Sequence, residues 1–297
     1  MTIYNIGSIN IDTTFRVPHL PAPGETIAAT SVTRQLGGKG ANQSVAIARA
    51  GAAVVHIGAV GTDGRPQLAQ MQSFGVDTKH IAVLDNILTG QAIIQVDDAG
   101  ENAITLETGA NGMLDHAWID RALSSASTSD TLVLQNETND TAAFAAAGRE
   151  RGMKIIWSAA PYDADIAKQM VPLVNLIVLN ETEMQQLSTS NIDPTRLDEI
   201  QRLVTAGSAG ATYFAPQAEP LYVSAHKVQA ADTTGAGDTY IGTFIAALDS
   251  GATYHDAMFR ASATAALHVT RAGAANSIPH RAEVDQWLET QSEKHAQ

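Results

Sequence analysis

Short β-rich runs alternate with helix-like segments along most of the chain, and no other feature constrains the fold as strongly. From about Val54 onward, runs rich in apolar and β-branched residues are followed by segments with helical periodicity. This alternation is typical of α/β proteins, in which helices cover the faces of a mainly parallel sheet. The predicted strands are Ile3–Gly7, Val54–Ala59, Thr131–Gln135, Lys154–Ser158, Leu176–Leu179 and Ala211–Phe214.

The predicted helices lie between these strands and, toward the end of the chain, follow one another directly. Two of them are followed by Gly75 and Gly152, at the position after a helix that favours glycine. No repeat, low-complexity tract or long linker divides residues 1–297, so the sequence predicts a single domain. The predicted helices are Pro66–Phe74, Asp140–Arg151, Pro194–Thr205, Asp238–Leu248, Tyr254–Val269 and Arg281–Thr290.

Two regions break the alternation and have the pattern of antiparallel strand pairs. The first pairs Ile9–Val17 with Thr26–Gln35, and the second pairs Thr89–Val96 with Asn102–Leu106 through the turn DDAGE. These segments, approximately residues 9–35 and 89–106, predict either a separate small sheet that covers a site as a lid or an extension of the main sheet. Their free strand edges predict a homodimer.

Composition limits the classes of function. The chain has no apolar run of the ~18 residues needed to span a membrane and no signal-peptide pattern at its start, so we expect a cytoplasmic protein without a membrane partner. It lacks cysteine, and its nine His residues show no metal-ligand spacing, so a metal ion would be a hard cation such as Mg²⁺. A net charge of −13 without a basic run argues against nucleic acid.

The stretch AADTTGAGDTY, residues 230–240, comes immediately before a predicted helix. A Gly-Ala-Gly turn at a helix start leaves backbone N–H groups unpaired and adds partial positive charge, which suits an anion such as phosphate. Asp238 would repel that anion unless it takes a proton from an attacking hydroxyl, as in phosphoryl transfer. The alternative is that the glycines only shape the turn and Asp238 complements the helix dipole.

The stretch QLGGKGANQSVAIARAG also runs from glycines into a helix. Its glycines permit close approach of a ligand to the backbone, while Lys39 and Asn42 offer polar groups suited to hydroxyls. It matches neither a Walker A loop nor a dinucleotide fingerprint, which disfavours a nucleotide-dependent oxidoreductase. A third stretch, LIVLNETEMQQL, places Asn180 and Glu183 at a helix start, where they could order the waters of Mg²⁺ or simply form a capping box.

Together these stretches resemble the ribokinase, or PfkB, family of carbohydrate kinases over nearly the whole chain. They occur in the family's order: GSINID, GGKGAN, GAVGTDG, TGQAIIQVDDAGENAITLETGAN, LQNE, NETE, DTTGAGD and VTRAGAANS. GGKGAN and DTTGAGD are the specific signals, whereas NETE and GAVGTDG are weak alone. The resemblance implies a ribokinase-like three-layer α/β fold, with a mainly parallel central sheet and a small β-sheet lid.

The resemblance also implies roles for individual residues. Asp238 is similar to the family's catalytic base, with the N–H groups of Gly235, Ala236 and Gly237 as its anion hole. The implied sugar-binding residues are Asn10, Asp12, Gly38, Lys39, Asn42 and Glu137. The implied magnesium and nucleotide residues are Asn180, Glu183, Thr205 and Gly207. The implied potassium ligands are the carboxylate of Asp232, the carbonyls of Thr234, His268, Arg271 and Gly273, and Ser277.

The function expected from the resemblance is ATP-dependent phosphorylation of a sugar, with D-ribose phosphorylated at its 5-hydroxyl. The alternatives are a kinase of another small substrate, such as a ketohexose, a deoxy sugar acid or a nucleoside, and a non-catalytic sugar-binding regulator on the same scaffold. No large aromatic residue that would favour a nucleoside is evident near the glycine-rich loop. The base and the anion hole are both present, which favours the enzyme over the regulator.

Overall fold

Most apolar runs of the sequence form strands of one large sheet. The computed structural model describes residues 1–295. Its strands are β1 (Ile3–Ile6), β2 (Asn10–Arg16), β3 (Ser31–Gly37), β4 (Val54–Gly61), β5 (Asp77–Leu84), β6 (Gly90–Val96), β7 (Asn102–Glu107), β8 (Thr131–Leu134), β9 (Lys154–Ser158), β10 (Leu176–Asn180), β11 (Gln201–Thr205), β12 (Ala211–Phe214) and β13 (Leu221–Val223). Its α-helices are α1 (Lys39–Arg49), α2 (Arg65–Ser73), α3 (His116–Ala122), α4 (Thr141–Glu150), α5 (Ala164–Met170), α6 (Glu181–Ser188), α7 (Pro194–Asp198), α8 (Ala236–Asp249), α9 (Tyr254–Val269) and α10 (Arg281–His295).

The large sheet has the order β13-β12-β11-β10-β9-β8-β1-β4-β5 within residues 1–295. The strands from β11 to β5 in this order are parallel to one another. β12 pairs antiparallel with β11, and β13 pairs antiparallel with β12. Alternate side chains of a strand enter opposite faces. Ile3 packs with residues of α1, α8 and α9 on one face, and Ile6 packs with residues of α3, α4 and α5 on the other. The predicted three-layer α/β fold is therefore confirmed.

The two predicted antiparallel pairs form one small sheet, separate from the large one. Its order is β3-β2-β6-β7, with β2 and β6 paired in parallel at the centre. It is therefore not an extension of the main sheet. The prediction that the first pair includes Thr26–Thr30 is wrong, because β3 begins only at Ser31. The chain before it turns at Ala22–Glu25, where the Glu25 carboxylate accepts a hydrogen bond from the Ala22 N–H.

One predicted helix is partly wrong. Pro194–Thr205 divides into the short helix α7 and the strand β11. The strand forms because its residues pair on both sides, in parallel with β10 and antiparallel with β12, and because Leu203 is fully buried there. Tertiary pairing overrides the local helical pattern. Thr205 therefore ends a strand beside Asn180 rather than ending a helix.

Several elements have no counterpart in the predictions, namely β5, β13, α3 and α5. β5 and β13 are edge strands of the large sheet, and most of their residues are only partly buried, so their apolar pattern is weak. Other predicted bounds agree to within a few residues; α10 continues to His295. Among residues 1–295, no helix is both long and apolar enough to cross a membrane.

Candidate active site

Asp238 lies in the first turn of α8. This helix begins directly after Gly235, whose φ of 73° is left-handed. Its side chain is buried, with 9% of the residue exposed. Oδ1 accepts a hydrogen bond from Gln43 Nε2 at 3.0 Å, and Oδ2 accepts one from Asn42 Nδ2 at 3.1 Å. Burial raises the pKa of Asp238, while the charge of Lys39 and the two amide donors oppose this rise. The α8 N-terminus therefore presents a carboxylate held by one donor on each oxygen.

The turn before α8 offers two of the three predicted backbone donors. The Ala236 N–H donates to the Thr233 carbonyl at 3.2 Å. The N–H groups of Gly235 and Gly237 have no backbone partner among residues 1–295. A Cβ added at Gly237 would meet no atom within 4 Å, so this residue borders open space.

A cleft of about 160 Å³ lies in front of this turn. It is bounded by the carboxyl ends of β9 and β10 and by the N-termini of α1 and α8, the place where open α/β sheets bind ligands. Lys39 lies at this cleft, and the carboxylates of Asp238 and Glu137 raise the pKa of its ammonium group. The polar or glycine residues that line the cleft are Lys39, Ser158, Asn180, Glu183, Thr233, Gly235, Gly237 and Asp238.

Two of the predicted sugar-binding side chains have a buried oxygen that lacks any hydrogen-bond partner among the described residues. They are Asp12 Oδ1 on β2 and Asn42 Oδ1 on α1. Because Asn42 Nδ2 donates to Asp238, its Oδ1 can only accept. Burial and the charges of Glu137 and Asp238 raise the pKa of Asp12 to about 7. Buried acceptors without partners are costly, so both oxygens suit a ligand that brings hydroxyl donors.

Asn10 is another predicted sugar-binding residue with an amide side chain, and its orientation is fixed by Asn111. The Ile9 N–H donates to Asn111 Oδ1 at 2.9 Å, which determines which end of the Asn111 amide is the donor. Asn111 Nδ2 in turn donates to Asn10 Oδ1 at 2.8 Å. Asn10 therefore has its Nδ2 donor left for a ligand.

The glycine-rich loop is attached to the rest of the site through Glu137. One oxygen of Glu137 accepts hydrogen bonds from Ser8 Oγ at 2.5 Å and from the Lys39 N–H at 3.1 Å. Gly38 has a φ of 91°, and a Cβ there would lie 2.9 Å from the Ser8 carbonyl oxygen. Glu137 and Gly38 therefore hold the loop against the chain after β1, whatever contact they make with a ligand.

Asn180 and Glu183 form the capping box of α6. The Asn180 side chain accepts from the Glu183 N–H, and Glu183 Oε2 accepts from the Asn180 N–H, both at 2.8 Å. Burial raises the pKa of Glu183, whose second oxygen makes no hydrogen bond within residues 1–295. The capping box predicted as the alternative is present, and both residues also line the cleft.

Thr205 and Gly207 lie one strand farther along the same edge of the sheet. Thr205 pairs with Asn180, and its hydroxyl donates to the Leu179 carbonyl at 3.3 Å. Gly207 has a φ of 53° and open space where a Cβ would lie. The edge therefore continues from the cleft past Asn180 to Gly207.

The predicted potassium ligands are brought together around His268. Asp232 accepts hydrogen bonds from the N–H groups of Thr234 and Gly273, both at 2.9 Å. The Thr234 carbonyl lies 2.8 Å from His268 Nε2, and Ser277 Oγ donates to the Gly273 carbonyl. Asp232 therefore joins the turn before α8 to the segment after α9. The carbonyl of His268 itself accepts from the Arg271 N–H.

The predictions missed four residues that hold this site in place: Ser8, Gln43, Asn111 and Gln135. Gln43 and Gln135 are fully buried, and Asn111 and Ser8 nearly so. Each lies inside or beside a quoted motif. The signal that could have identified them is a polar side chain in an otherwise apolar setting. Nothing in the sequence distinguishes their contacts from those of an ordinary polar core residue.

Comparisons with known proteins identify the family of the chain. The model of the pfkB family carbohydrate kinases matches residues 2–281. A ribokinase of Haemophilus influenzae is 33% identical, over 97% of this chain and 98% of the relative. The ribokinase of Cryptococcus neoformans, solved with ADP, is 31% identical with a TM-score of 0.85, over 96% of this chain and 98% of that one. The Arabidopsis thaliana ribokinase, solved with ribose and ATP, is 26% identical with a TM-score of 0.84, over 96% of this chain and 98% of that one. The chain belongs to the pfkB family of carbohydrate kinases.

Proposed function

We propose that this protein transfers the γ-phosphoryl group of ATP to the 5-hydroxyl of D-ribose. One observation carries the chemistry: Asp238 is a buried carboxylate beside the unpaired N–H groups of Gly235 and Gly237. A base and an anion-binding turn at one point are what phosphoryl transfer to a hydroxyl requires. The ribokinases similar to this chain support ribose as the sugar.

In this mechanism the sugar lies between β2 and α1. Asp12 Oδ1 and Asn42 Oδ1 accept from its hydroxyls, and Asn10 Nδ2 donates to it. Asp238 accepts the proton of the attacking hydroxyl as the bond to phosphorus forms and the bond to the ADP oxygen breaks. The N–H groups of Gly235 and Gly237 donate to the oxygens of the transferring group, where negative charge spreads. Fixed positions of both reactants supply much of the rate enhancement.

We further propose that Glu183 and Asn180 contribute to the binding of Mg²⁺, largely through water. The free oxygen of Glu183 is a hard ligand of the kind this ion prefers. Within residues 1–295 no three His, Asp or Glu side chains converge to hold a metal, so phosphate oxygens and water would complete the shell. When bound, the ion neutralises phosphate charge. Thr205 and Gly207, farther along the edge, are proposed nucleotide contacts.

A monovalent cation site beside Asp232 is also proposed, with K⁺ as the ion. The donors are all oxygens: the Asp232 carboxylate, the carbonyls of the two joined segments and the Ser277 hydroxyl. This set suits a weakly hydrated cation. The hydrogen bonds that Asp232 accepts from the N–H groups of Thr234 and Gly273 support a role in fixing the turn that presents the Gly235 and Gly237 donors.

A homodimer through the small sheet is proposed from its exposed surface. All six residues of the edge strand β7 are exposed, and Ile104 and Leu106 are 56% and 55% accessible. An edge strand with apolar side chains favours pairing with another chain. Light scattering at micromolar concentration tests the assembly. ATP as the donor also favours the cytoplasmic location expected from the sequence.

The proposed function is tested by the formation of ADP with ATP, Mg²⁺ and each member of a panel containing ribose, 2-deoxyribose, fructose and a nucleoside. Asp238→Asn is the matched variant, because it keeps the shape of the side chain and removes the proton acceptor. We expect kcat with ribose to fall by ~10²–10⁴-fold while ribose binding persists, since general-base catalysis has that magnitude. A near-normal rate in this variant, or no turnover of any sugar by the parent, would contradict the proposal.

A further inference from the structure

A line of fully buried polar side chains runs behind Asp238, and the mechanism above does not use it. Its members are His56 on β4, Asn5 on β1, Ser44 and Gln43 on α1, and Gln135 at the end of β8, and each is 0% exposed. Buried polar groups are costly unless every hydrogen bond is made. A line of five therefore needs a physical reason.

The far end of the line is anchored on a backbone carbonyl. His56 Nε2 lies 3.1 Å from the Gly7 carbonyl, which can only accept, so Nε2 carries the proton. Burial lowers the pKa of His56 to about 4, so the ring is neutral and Nδ1 is an acceptor. Ser44 Oγ lies 2.8 Å from Nδ1 and donates to it. The Ser44 oxygen is therefore left to accept.

The next amide is fixed by a second carbonyl. Asn5 Nδ2 donates to the Gly40 carbonyl and to Ser44 Oγ, both at 2.8 Å, so Asn5 Oδ1 faces the other way. Gln135 Nε2 donates to that oxygen at 2.9 Å and to Gln43 Oε1 at 2.8 Å. With its oxygen occupied in this way, Gln43 presents Nε2 to Asp238 Oδ1. Each orientation follows from the one before it.

We propose that Gln43 and Gln135 are positioning residues for Asp238, because the buried line fixes Gln43 as a donor to the carboxylate and so holds it aligned and ionised. The inference rests on the proposed function, in which Asp238 accepts the proton. If Gln43 turned over, its Oε1 would face a carboxylate oxygen, and two acceptors repel. Gln135 prevents this turn because its N–H group occupies Gln43 Oε1. Gln135 makes no contact with Asp238, so its effect reaches the base only through Gln43.

The test is a double-mutant cycle with Gln43→Met and Gln135→Met, since Met has nearly the length and volume of Gln but no N–H donor. We measure kcat and the KM for ribose for each single variant and for the double. Gln43→Met should lower kcat by about tenfold or more and Gln135→Met by about threefold or more, with ribose KM within about twofold of the parent. In the double variant, Gln135→Met should add no further loss.

A destabilised control separates positioning from general damage. Phe144→Leu lies in the core on the other face of the sheet, away from the line, and should lower the melting temperature without changing kcat. If the Met variants show no cooperative unfolding, Gln135→Leu replaces them. Leu also lacks an N–H donor and brings no ionisable group into this fully buried position, so kcat should again fall.

The outcomes are distinct from those that test the function itself. A parent enzyme that phosphorylates ribose and is disabled by Asp238→Asn keeps the proposed function whatever the Gln variants do. With that established, a parent-like kcat in Gln135→Met, or in Gln135→Leu where it replaces it, overturns the positioning role. Losses that multiply in the double variant would also overturn it. Independent effects on kcat multiply, whereas an effect of Gln135 that acts only through Gln43 adds no further loss.

Discussion

Asn111 donates its side-chain N–H to the side-chain oxygen of Asn10, and this single bond at 2.8 Å determines which end of Asn10 remains available to a ligand. Asn111 has its own orientation fixed by the Ile9 N–H. The hydrogen-bond donor that Asn10 offers to a ligand is therefore determined by a neighbouring side chain, that of Asn111. Such dependence makes Asn111 a specific target for mutation.

We expect Asn111→Asp to raise the KM for ribose by about tenfold, with kcat changed much less. The new carboxylate still accepts from the Ile9 N–H but cannot donate to Asn10, which loses a partner and its fixed orientation; a lost buried hydrogen bond costs about 1–3 kcal/mol. Steady-state kinetics over a range of ribose concentrations measure the effect. An unchanged KM would remove Asn111 from the sugar site, and a melting curve controls for loss of fold.

Glycines of the two glycine-rich stretches should respond differently to an added methyl group. At Gly237 a Cβ meets no atom within 4 Å, so Gly237→Ala should fold normally but place a methyl group in the cleft where the phosphoryl group approaches. At Gly40 a Cβ would lie 2.5 Å from the backbone of Gly7 and Ser8, so Gly40→Ala should cost about 1–3 kcal/mol of unfolding free energy.

Melting temperature and the KM for ATP measure the two effects. We expect Gly237→Ala to raise the KM for ATP or lower kcat at parent-like stability, and Gly40→Ala to lower the melting temperature. Parent-like kinetics in Gly237→Ala would argue against the anion-binding turn.

Asp12→Asn should stabilise the protein without ligand and weaken ribose binding. Burial raises the pKa of Asp12 to about 7, above its value of 3.8 in an unfolded chain, so the folded state holds an extra proton between these two values. Stability from this group is therefore greatest at low pH and is lost as the pH rises to about 7. An Asn at this position carries no charge at any pH.

Melting curves with and without the substitution check the sign. The variant should melt about 3 °C or more above the parent at pH 8 and close to it at pH 4. A variant that is less stable than the parent at pH 8 would contradict the buried-charge argument. In the parent, the KM for ribose should rise as the pH falls below about 7, and the variant should lack this dependence.

The initial rate should depend on the monovalent cation. At fixed ionic strength we expect K⁺ to support a higher rate than Na⁺ or a bulky organic cation, because an ion held by Asp232 and the adjoining carbonyls would fix the turn that carries the phosphate donors. Asp232→Ala should lose most of the K⁺ advantage. Equal parent rates in all three salts would eliminate the cation site and leave the hydrogen bonds of Asp232 and the His268 contact to Thr234 as the links that hold the turn.

The sequence was sufficient where chemistry is encoded by a local motif. Asp238 and Gly235 lie in one stretch, so the turn, the helix start and the carboxylate could be predicted together. The small sheet was predicted as a lid made of two strand pairs, with an extension of the main sheet as the alternative. How the two pairs join was not predicted, because the parallel pairing of β2 with β6 joins segments about 80 residues apart and leaves no local signal.

Prediction failed where tertiary contacts decide the outcome. Gln201–Thr205 has a pattern compatible with a helix, and only its neighbours on both sides make it a strand. Asn5 and His56 are polar residues inside apolar strands. Their membership of one buried polar line is evident only in the structure, where β1 and β4 are paired. Residues that orient others are harder to predict than residues that touch the ligand, because their partners come from distant parts of the chain.

The division of the sugar site between two sheets has a consequence for turnover. Asn10 and Asp12 belong to the small sheet, whereas Asn42 and Asp238 belong to helices packed on the large one. A bound sugar therefore contacts residues of both sheets, in addition to the core packing of Leu36 of β3 against the helices of the large one. Any displacement of the small sheet from these helices would therefore pull the two halves of the site apart, so the position of one sheet relative to the other sets how tightly a sugar is held.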